Sequence, residues 1–284
     1  MTKDNSDKII SELKKYGEMP DEDLDMSDMA LKISALQHPG ISLGRYSNHL
    51  AKLVSSVEDR HEYLLDSDYD DELETRLAAL KDVIARDEGY CGDVDDYDNI
   101  QNTDLIRVID RRKGIPITLS LLYLHVARAL GWSAYGLAIP GHFIVRLDMQ
   151  GGRLLFDPYN DCKILEAPDL RHLIKSRLGP DAELSASYFE PSSNRAILIR
   201  LQNNIKSRLI ENEDYKHALE VVEVMRLIAP DDYRVLFDAG VLYARTGAAK
   251  SAKEALIQYL EQAPSHVNCD DAVALLQQIN ATLN

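Results

Sequence analysis

His142 and Asp157 are the two residues whose types and spacing point most directly to chemistry in this sequence. They lie in AIPGHFIVRLDMQGGRLLFDPYND, residues 138–161. Apolar and polar residues alternate on either side of a glycine pair there, which is typical of a two-stranded hairpin. A histidine bonded to an aspartate can orient a nucleophile or work as an acid–base pair. The hairpin therefore raises the question of a nucleophile elsewhere in the chain.

The register of the hairpin decides whether these two side chains meet. A turn centred on Met149 and Gln150 would place His142 directly opposite Asp157 on one face. The opposite, wholly apolar face would form the core, with Phe143, Val145, Leu147, Leu154 and Phe156. A shift of two residues would leave the pair diagonal on one face, whereas a shift of one would break up the apolar face.

The helices and the strand before the hairpin determine which other side chains lie near His142 and Asp157. Residues 104–113 predict a short helix, and GIP follows it. Residues 117–131, ITLSLLYLHVARALG, predict a helix that is apolar almost all round, so we expect it to be central and buried. WSAYGLAIP, residues 132–140, predicts the strand that precedes the hairpin.

Residues 1–88 show helical periodicity, for example at Met29, Ile33 and Leu36. Residues 89–101 are polar and rich in aspartate, and we expect a loop. Counted from Asp93, the fifth and sixth positions of a calcium loop would be Tyr97 and Asp98, so the EF-hand template fails. A solvated acidic loop is the simpler interpretation, and the sequence predicts no metal site and no cofactor.

The last ninety residues predict helices only. Two segments align at an offset of 34, with Ala218 matching Ala252 and Pro230 matching Pro264. Tetratricopeptide repeats have this period, and the second segment also has Gly240 and Tyr243 where the repeat places Gly and Tyr. The first segment has Lys206 and Leu209 at those positions and is degenerate. The sequence therefore predicts helix pairs over 199–230 and 233–264, followed by a capping helix.

The fold class that these patterns predict is α+β, in three segments. Residues 1–88 form a helical subdomain, residues 89–194 a core with a central helix on an antiparallel sheet, and residues 195–284 two repeats with a capping helix.

Charge and cysteine content exclude several classes of function. The formal net charge of −15 argues against a nucleic-acid binder, which needs a basic surface. No run approaches 18 apolar residues, so no membrane span is expected. The N-terminal residues lack the apolar region of a signal peptide. Cys91, Cys162 and Cys269 are odd in number and lack CxxC spacing, which fits a reducing cytoplasm without disulfides.

The order of helix, strand with His142 and strand with Asp157 resembles the transglutaminase-like branch of the papain-like fold. More closely, RRKGIPITLSLLYLHVARALG, PGHFIVRL and FDPYND, followed by the repeats, resemble a bacterial family of transglutaminase-like, repeat-containing Sir-B-type proteins. The resemblance covers residues 26 to the end. It implies a transglutaminase-like core and a regulatory role.

In active transglutaminases the nucleophile is a cysteine at the start of the central helix. Counting back from the end of the predicted helix places the position of this cysteine at Pro116 or Ile117. Neither residue has a thiol. The resembled family shares this departure. Thr118 and Ser120 are nearby hydroxyls, and Cys91 or Cys162 are the alternative thiols.

His142 and Asp157 therefore have two open interpretations. They form either a buried structural pair that fixes the hairpin or a pocket pair that holds a ligand or transfers a proton. Arg111 and Arg112, just before the helix, are candidates for binding a carboxylate or phosphate at its N-terminus, unless they form a solvated basic turn. Thr118 and Asn160 are further candidate ligand contacts.

Two functions follow from these alternatives. The first is a non-enzymatic adaptor or regulator that binds a protein or peptide through its repeats. The second is a hydrolase or acyl-transferase that uses His142 and Asp157 with water or an unusual nucleophile. The sequence predicts neither the partner nor the oligomeric state.

Overall fold

The computed structural model describes residues 3–283, and side-chain surroundings for residues 6–281. The chain forms two compact units. The first is Leu24–Ile197, and the second joins residues 3–23 to residues 198–283. The sequence suggested three consecutive segments instead. Residues 24–88 belong to the same unit as the core, and residues 3–23 belong to the unit of the repeats. Residues 1, 2 and 284, the ends of the outer predicted segments, lie outside the described residues.

The first unit opens with three helices. They are α2 (Met26–Leu36), α3 (Gly44–Asp66) and α4 (Leu73–Leu80). A π-helical turn at Lys81–Asp87 continues α4. The carboxylate of Asp25 caps α2 by accepting from the amides of Ser27 and Asp28. The buried faces of these helices follow the apolar stripes of the sequence, at Met29 and Ile33 in α2 and at Leu53 and Val57 in α3.

The core of the first unit is built around one helix and one sheet. Strand β1 (Cys91–Gly92) precedes helix α5 (Leu105–Arg111), and strand β2 (Lys113–Gly114) follows it; the two short strands pair in parallel. The central helix α6 (Pro116–Ala129) comes next. The four-stranded antiparallel sheet has the order β3-β4-β5-β6, with bounds Ser133–Ile139, His142–Met149, Gly152–Asp157 and Lys163–Ile164. Helix α6 packs against β3 and β4 and is buried on nearly every side, as predicted.

Residues 89–101 differ in one respect from the loop that the sequence predicted. It contains the short strand β1, which pairs with β2 just before α6, and it leads into a 3₁₀ turn at Ile100–Thr103. A two-residue strand whose partner lies about twenty residues away leaves no periodic signal in the sequence.

Both faces of the sheet are covered. The face predicted to be the core is buried, with Phe143, Val145 and Phe156 among the most enclosed side chains. Helix α7 (Ala167–Leu178) lies on the other face, where its Leu170 and Ile174 pack with Ile144 and Leu155. The sheet therefore lies between two helical layers.

The second unit is wholly helical. Helices α8 (Asn194–Glu211, whose first residues belong to the first unit) and α9 (Tyr215–Ile228) form one pair. Helices α10 (Tyr233–Arg245) and α11 (Ala249–Gln262) form the next pair, and α12 (Asp270–Leu283) covers it. No strand occurs from residue 200 to 280, a range that the structure describes throughout. The predicted repeats and capping helix are confirmed.

Small residues mark the close approaches inside the second unit. A Cβ on Gly240 would lie 2.6 Å from the Leu256 side chain, so α10 and α11 could not pack as closely with a larger residue. In the degenerate first repeat, the Lys206 ammonium pairs with Asp238 of α10. The unit also contains α1 (Lys3–Glu18), which packs against α9 with Ile9 and Leu13 buried.

Candidate functional site

His142 and Asp157 meet at one end of the sheet. His142 opens β4 and Asp157 closes β5, and the His142 Nε2 and Asp157 Oδ2 atoms are 2.7 Å apart. The two residues are only 6% and 2% exposed. The hydrogen bond between the strands therefore lies in a water-poor environment, where it is stronger than at the surface.

The register of the hairpin differs from the predicted one by two residues. Met149 pairs with Gly152 and Val145 with Phe156, so the turn consists of Gln150 and Gly151. Both turn residues have positive φ, 49° and 84°, as a tight hairpin turn requires. His142 and Asp157 are consequently not directly opposite but diagonal, and they still share a face.

Three donors hold the carboxylate of Asp157. Besides His142, the Asn160 Nδ2 atom donates to Oδ2 over 2.6 Å, and the Tyr159 amide donates to Oδ1 over 3.0 Å. Burial by itself would raise the pKa of Asp157, but these hydrogen bonds outweigh it and hold that pKa below the ordinary value. Asn160, a candidate ligand contact in the sequence, is thus placed to orient the carboxylate.

The pKa of Asp157 predicts a pH-dependent part of the stability. A carboxyl whose pKa is lowered by folding stabilises the fold fully above its unfolded pKa, and the contribution is lost as the pH falls through the folded value. Asp157→Asn should therefore differ most from the wild type at neutral pH. The difference in free energy of unfolding should shrink below pH 3.8, the ordinary value for aspartate. Urea denaturation between about pH 7 and pH 3 measures it; a constant difference would contradict the role given to these hydrogen bonds.

Tyr159 links the pair to the start of the core and was not singled out from the sequence. Its ring lies edge-on to His142, with centroids 6.3 Å apart, and its hydroxyl donates to the Asp93 carbonyl over 3.1 Å. A Cβ on Gly92 would lie 2.6 Å from this ring, so the glycine makes room for it. The one local feature of the sequence that could have pointed to Tyr159 is an aromatic residue two positions after Asp157.

Arg111 is held in a network beneath this region. It donates to Asp93 over 2.9 Å and to Asn102 over 2.8 Å, and the Asp93 side chain is only 2% exposed. Burial alone would raise the pKa of Asp93, but hydrogen bonds from Arg111, Asn102 and Lys113 hold that pKa below its ordinary value. The network fixes the 93–102 loop against the start of α6.

The other two sequence candidates have contacts of their own. Arg112, in the left-handed conformation after α5, pairs with Glu88 over 3.0 Å and stacks on the Tyr90 ring. The Thr118 hydroxyl is fully buried, accepts from the Ile115 amide and donates to the Asn102 carbonyl. These contacts give both residues a structural role, and ligand binding by Arg111, Arg112, Thr118 and Asn160 stays a prediction.

The start of α6 and the three cysteines bear on the question of a nucleophile. Pro116 and Ile117 are buried in the first turn of α6. Cys162 is buried against the Tyr123 hydroxyl, and burial raises its pKa to about 12, so its thiol is protonated at neutral pH. Cys91 is exposed in β1, and Cys269 belongs to the second unit.

Within residues 3–283, no helix is long and apolar enough to cross a membrane.

Comparison with known proteins gives two family matches. The family described as transglutaminase-like superfamily matches residues 44–203, and tetratricopeptide repeat matches residues 205–280. The first range includes the predicted core, residues 89–194, and begins 45 residues before it, and the second lies within the predicted repeat segment, residues 195–284.

Several bacterial relatives resemble nearly the whole chain. A UPF0162 protein of Xylella fastidiosa (strain 9a5c) is 31% identical over 257 residues, 88% of each chain. A UPF0162 protein of Vibrio cholerae is 27% identical over 266 residues, 92% of this chain and 94% of the relative. Protein SirB1 of Salmonella typhimurium is 26% identical over 221 residues, 76% of this chain and 78% of the relative. No solved structure matches the chain.

Proposed function

Because this chain belongs to the transglutaminase-like superfamily and to the UPF0162 family, we propose that it is a non-enzymatic adaptor or regulator whose core has lost the nucleophilic cysteine. The observation that carries the proposal is the start of α6. Pro116 and Ile117 lie in its first turn. The sequence analysis predicted the superfamily's nucleophile at one of these positions, and neither side chain can attack a carbonyl.

The contacts of His142 and Asp157 support a structural role for the pair. The Asp157 carboxylate is shared among His142, Asn160 and the Tyr159 amide, and the pair joins the end of β5 to the start of β4. A buried, hydrogen-bonded pair of this kind can fix the geometry of a hairpin, and this role requires no nucleophile beside it.

The repeats supply the binding function of this proposal. Tetratricopeptide repeats generally bind other proteins, and here they belong to the second compact unit together with residues 3–23. We propose a cytoplasmic location, since the three cysteines are odd in number and lack CxxC spacing. Its partner is then a protein or peptide rather than a nucleic acid, because the chain is acidic.

A hydrolase or acyl-transferase is the second candidate function. The 2.7 Å contact between His142 and Asp157 favours it, because a carboxylate that orients an imidazole is the usual support for proton transfer. In this case a water molecule or an unusual hydroxyl would attack the substrate.

An activity assay separates the two candidates. With a panel of glutamine-containing peptides and an amine donor, we expect no turnover, since loss of a nucleophile removes most of the rate acceleration. The assay is repeated after thiol alkylation and with Cys91→Ser and His142→Ala. Turnover that alkylation and Cys91→Ser both abolish would show that the exposed thiol acts. Turnover that resists alkylation but is lost in His142→Ala would favour the second candidate.

The adaptor role has its own test. A protein partner should co-purify with the full chain but not with residues 24–197, the unit that lacks the repeats. Circular dichroism of the shortened chain controls for its folding. A partner that is retained without the repeats would contradict the proposed role of the second unit.

A further inference from the structure

Three large apolar side chains are exposed within seven residues of the chain before α5. Val94 is 73% exposed, Tyr97 37% and Ile100 41%, and we call these three residues the loop patch. Single exposed apolar residues are common on protein surfaces, whereas a contiguous exposed apolar patch favours an interaction site.

The backbone beneath the loop patch is fixed. The Asp93 side chain is held by Arg111 and Lys113, and its carbonyl by the Tyr159 hydroxyl. The Asn102 side-chain amide donates to the Asp96 carbonyl over 2.7 Å. Since both ends of the loop are held by hydrogen bonds, a partner meets a backbone that is already ordered, and binding costs little ordering entropy.

The charged residues within the loop itself are all acidic. Residues 93–98 contain four aspartates and no cation. The Asp95 side chain is 81% exposed, and Asp96 and Asp98 are also exposed. Lys113 is the neighbouring cation, and it pairs with Asp93 and Asp95 at the inner edge of the loop. A partner that covers Val94 and Tyr97 therefore gains electrostatically if it is cationic.

The loop patch also continues toward the His–Asp pair. The Tyr97 ring lies edge-on to Tyr159, with centroids 5.8 Å apart, and the Tyr159 ring lies edge-on to His142. A segment bound on Val94 and Tyr97 would thus lie beside the candidate site of the core.

We propose that the loop patch is a protein-docking surface for a short cationic segment of another protein, with an apolar residue between lysines or arginines. The apolar residue covers Val94 and Tyr97, and the cations face Asp95, Asp96 and Asp98. This surface belongs to the first unit and the repeats belong to the second, so it can fail while the adaptor proposal stands.

The test uses the full chain and fluorescent hexapeptides. One panel has Leu, Val or Phe between Lys or Arg residues, and a matched panel has Glu in place of the cations. Fluorescence anisotropy should give a Kd below about 1 mM for members of the cationic panel. The affinity should fall as salt is raised, because exposed charges are screened. The glutamate panel should not bind.

Substitutions assign the binding to the loop patch. Val94→Ser and Tyr97→Ser should each weaken binding by about tenfold, as expected for a central apolar contact, and Asp95→Asn should weaken it and reduce its salt dependence. Because Val94 is 73% exposed, its replacement is expected to leave the fold intact. The matched control is Tyr69→Ser, because Tyr69 is also an exposed tyrosine among aspartates, away from the loop patch in the sequence.

Three results would overturn the proposal. The first is that no peptide of the cationic panel binds more tightly than about 1 mM. The second is that Tyr69→Ser weakens binding as much as Tyr97→Ser, which would indicate a general attraction to acidic surface. The third is self-association of the full chain that Val94→Ser abolishes, because the occupant would then be a second copy of this chain.

Discussion

Arg111→Ala is expected to lower the free energy of unfolding by about 3 kcal/mol, because it leaves a buried carboxylate without its main partner. The Asp93 side chain is 2% exposed, and Arg111 is its closest cation. The same change removes the donor to Asn102, which fixes the other end of the loop. Urea denaturation followed by circular dichroism measures the effect.

The control is Arg86→Ala. The Arg86 side chain pairs with Asp82 but is 65% exposed, so its loss should cost no more than about 1 kcal/mol. In the Arg111→Ala background, Asp93→Asn should recover part of the loss, since it removes the buried charge that has lost its main partner. Equal costs for Arg111→Ala and Arg86→Ala would contradict the buried network.

His142→Ala and Asp157→Ala should each destabilise the protein by about 1–3 kcal/mol, because each leaves a buried polar partner behind. The double variant should cost less than the sum of the two single variants, since the hydrogen bond between them is lost only once. The four free energies of unfolding form a double-mutant cycle. His172→Ala, an exposed histidine on α7, is the control and should be nearly neutral.

Strictly additive costs would mean that His142 and Asp157 do not interact. A larger effect on peptide turnover than on stability would instead point to catalysis by the pair.

The architecture was predictable because its signals are local and periodic. The spacing of apolar residues identified the buried central helix, and the 34-residue offset between Ala218 and Ala252 identified the repeats. Both alanines are fully buried between helices, which explains why the repeat keeps a small residue there.

The hairpin register was wrong because its turn uses a residue that gives a weak signal. Gln150 adopts a positive φ together with Gly151, and only the glycine marks such a turn in the sequence. The pairing of His142 with Asp157 survived this error, since a shift of two residues keeps every side chain on its face.

The surroundings of the pair were not predictable from local patterns. Tyr159 reaches Asp93, which lies 66 residues earlier in the chain, and Arg111 reaches the same residue across the parallel pair of short strands. These contacts depend on how β1, β2 and α6 come together. Contacts between distant elements leave no periodic pattern within any one element. The sequence therefore predicted only a solvated acidic loop.

The pairing of α1 with α9 has a consequence during translation. About 200 residues separate the end of α1 from the start of α9. A ribosome adds about 5–20 residues per second, so α1 waits about 10–40 s for its partner helix. Residues 24–197 can complete their own unit in that interval. Until α9 has been synthesised, Ile9 and Leu13 lack the helix against which α1 packs in the folded protein.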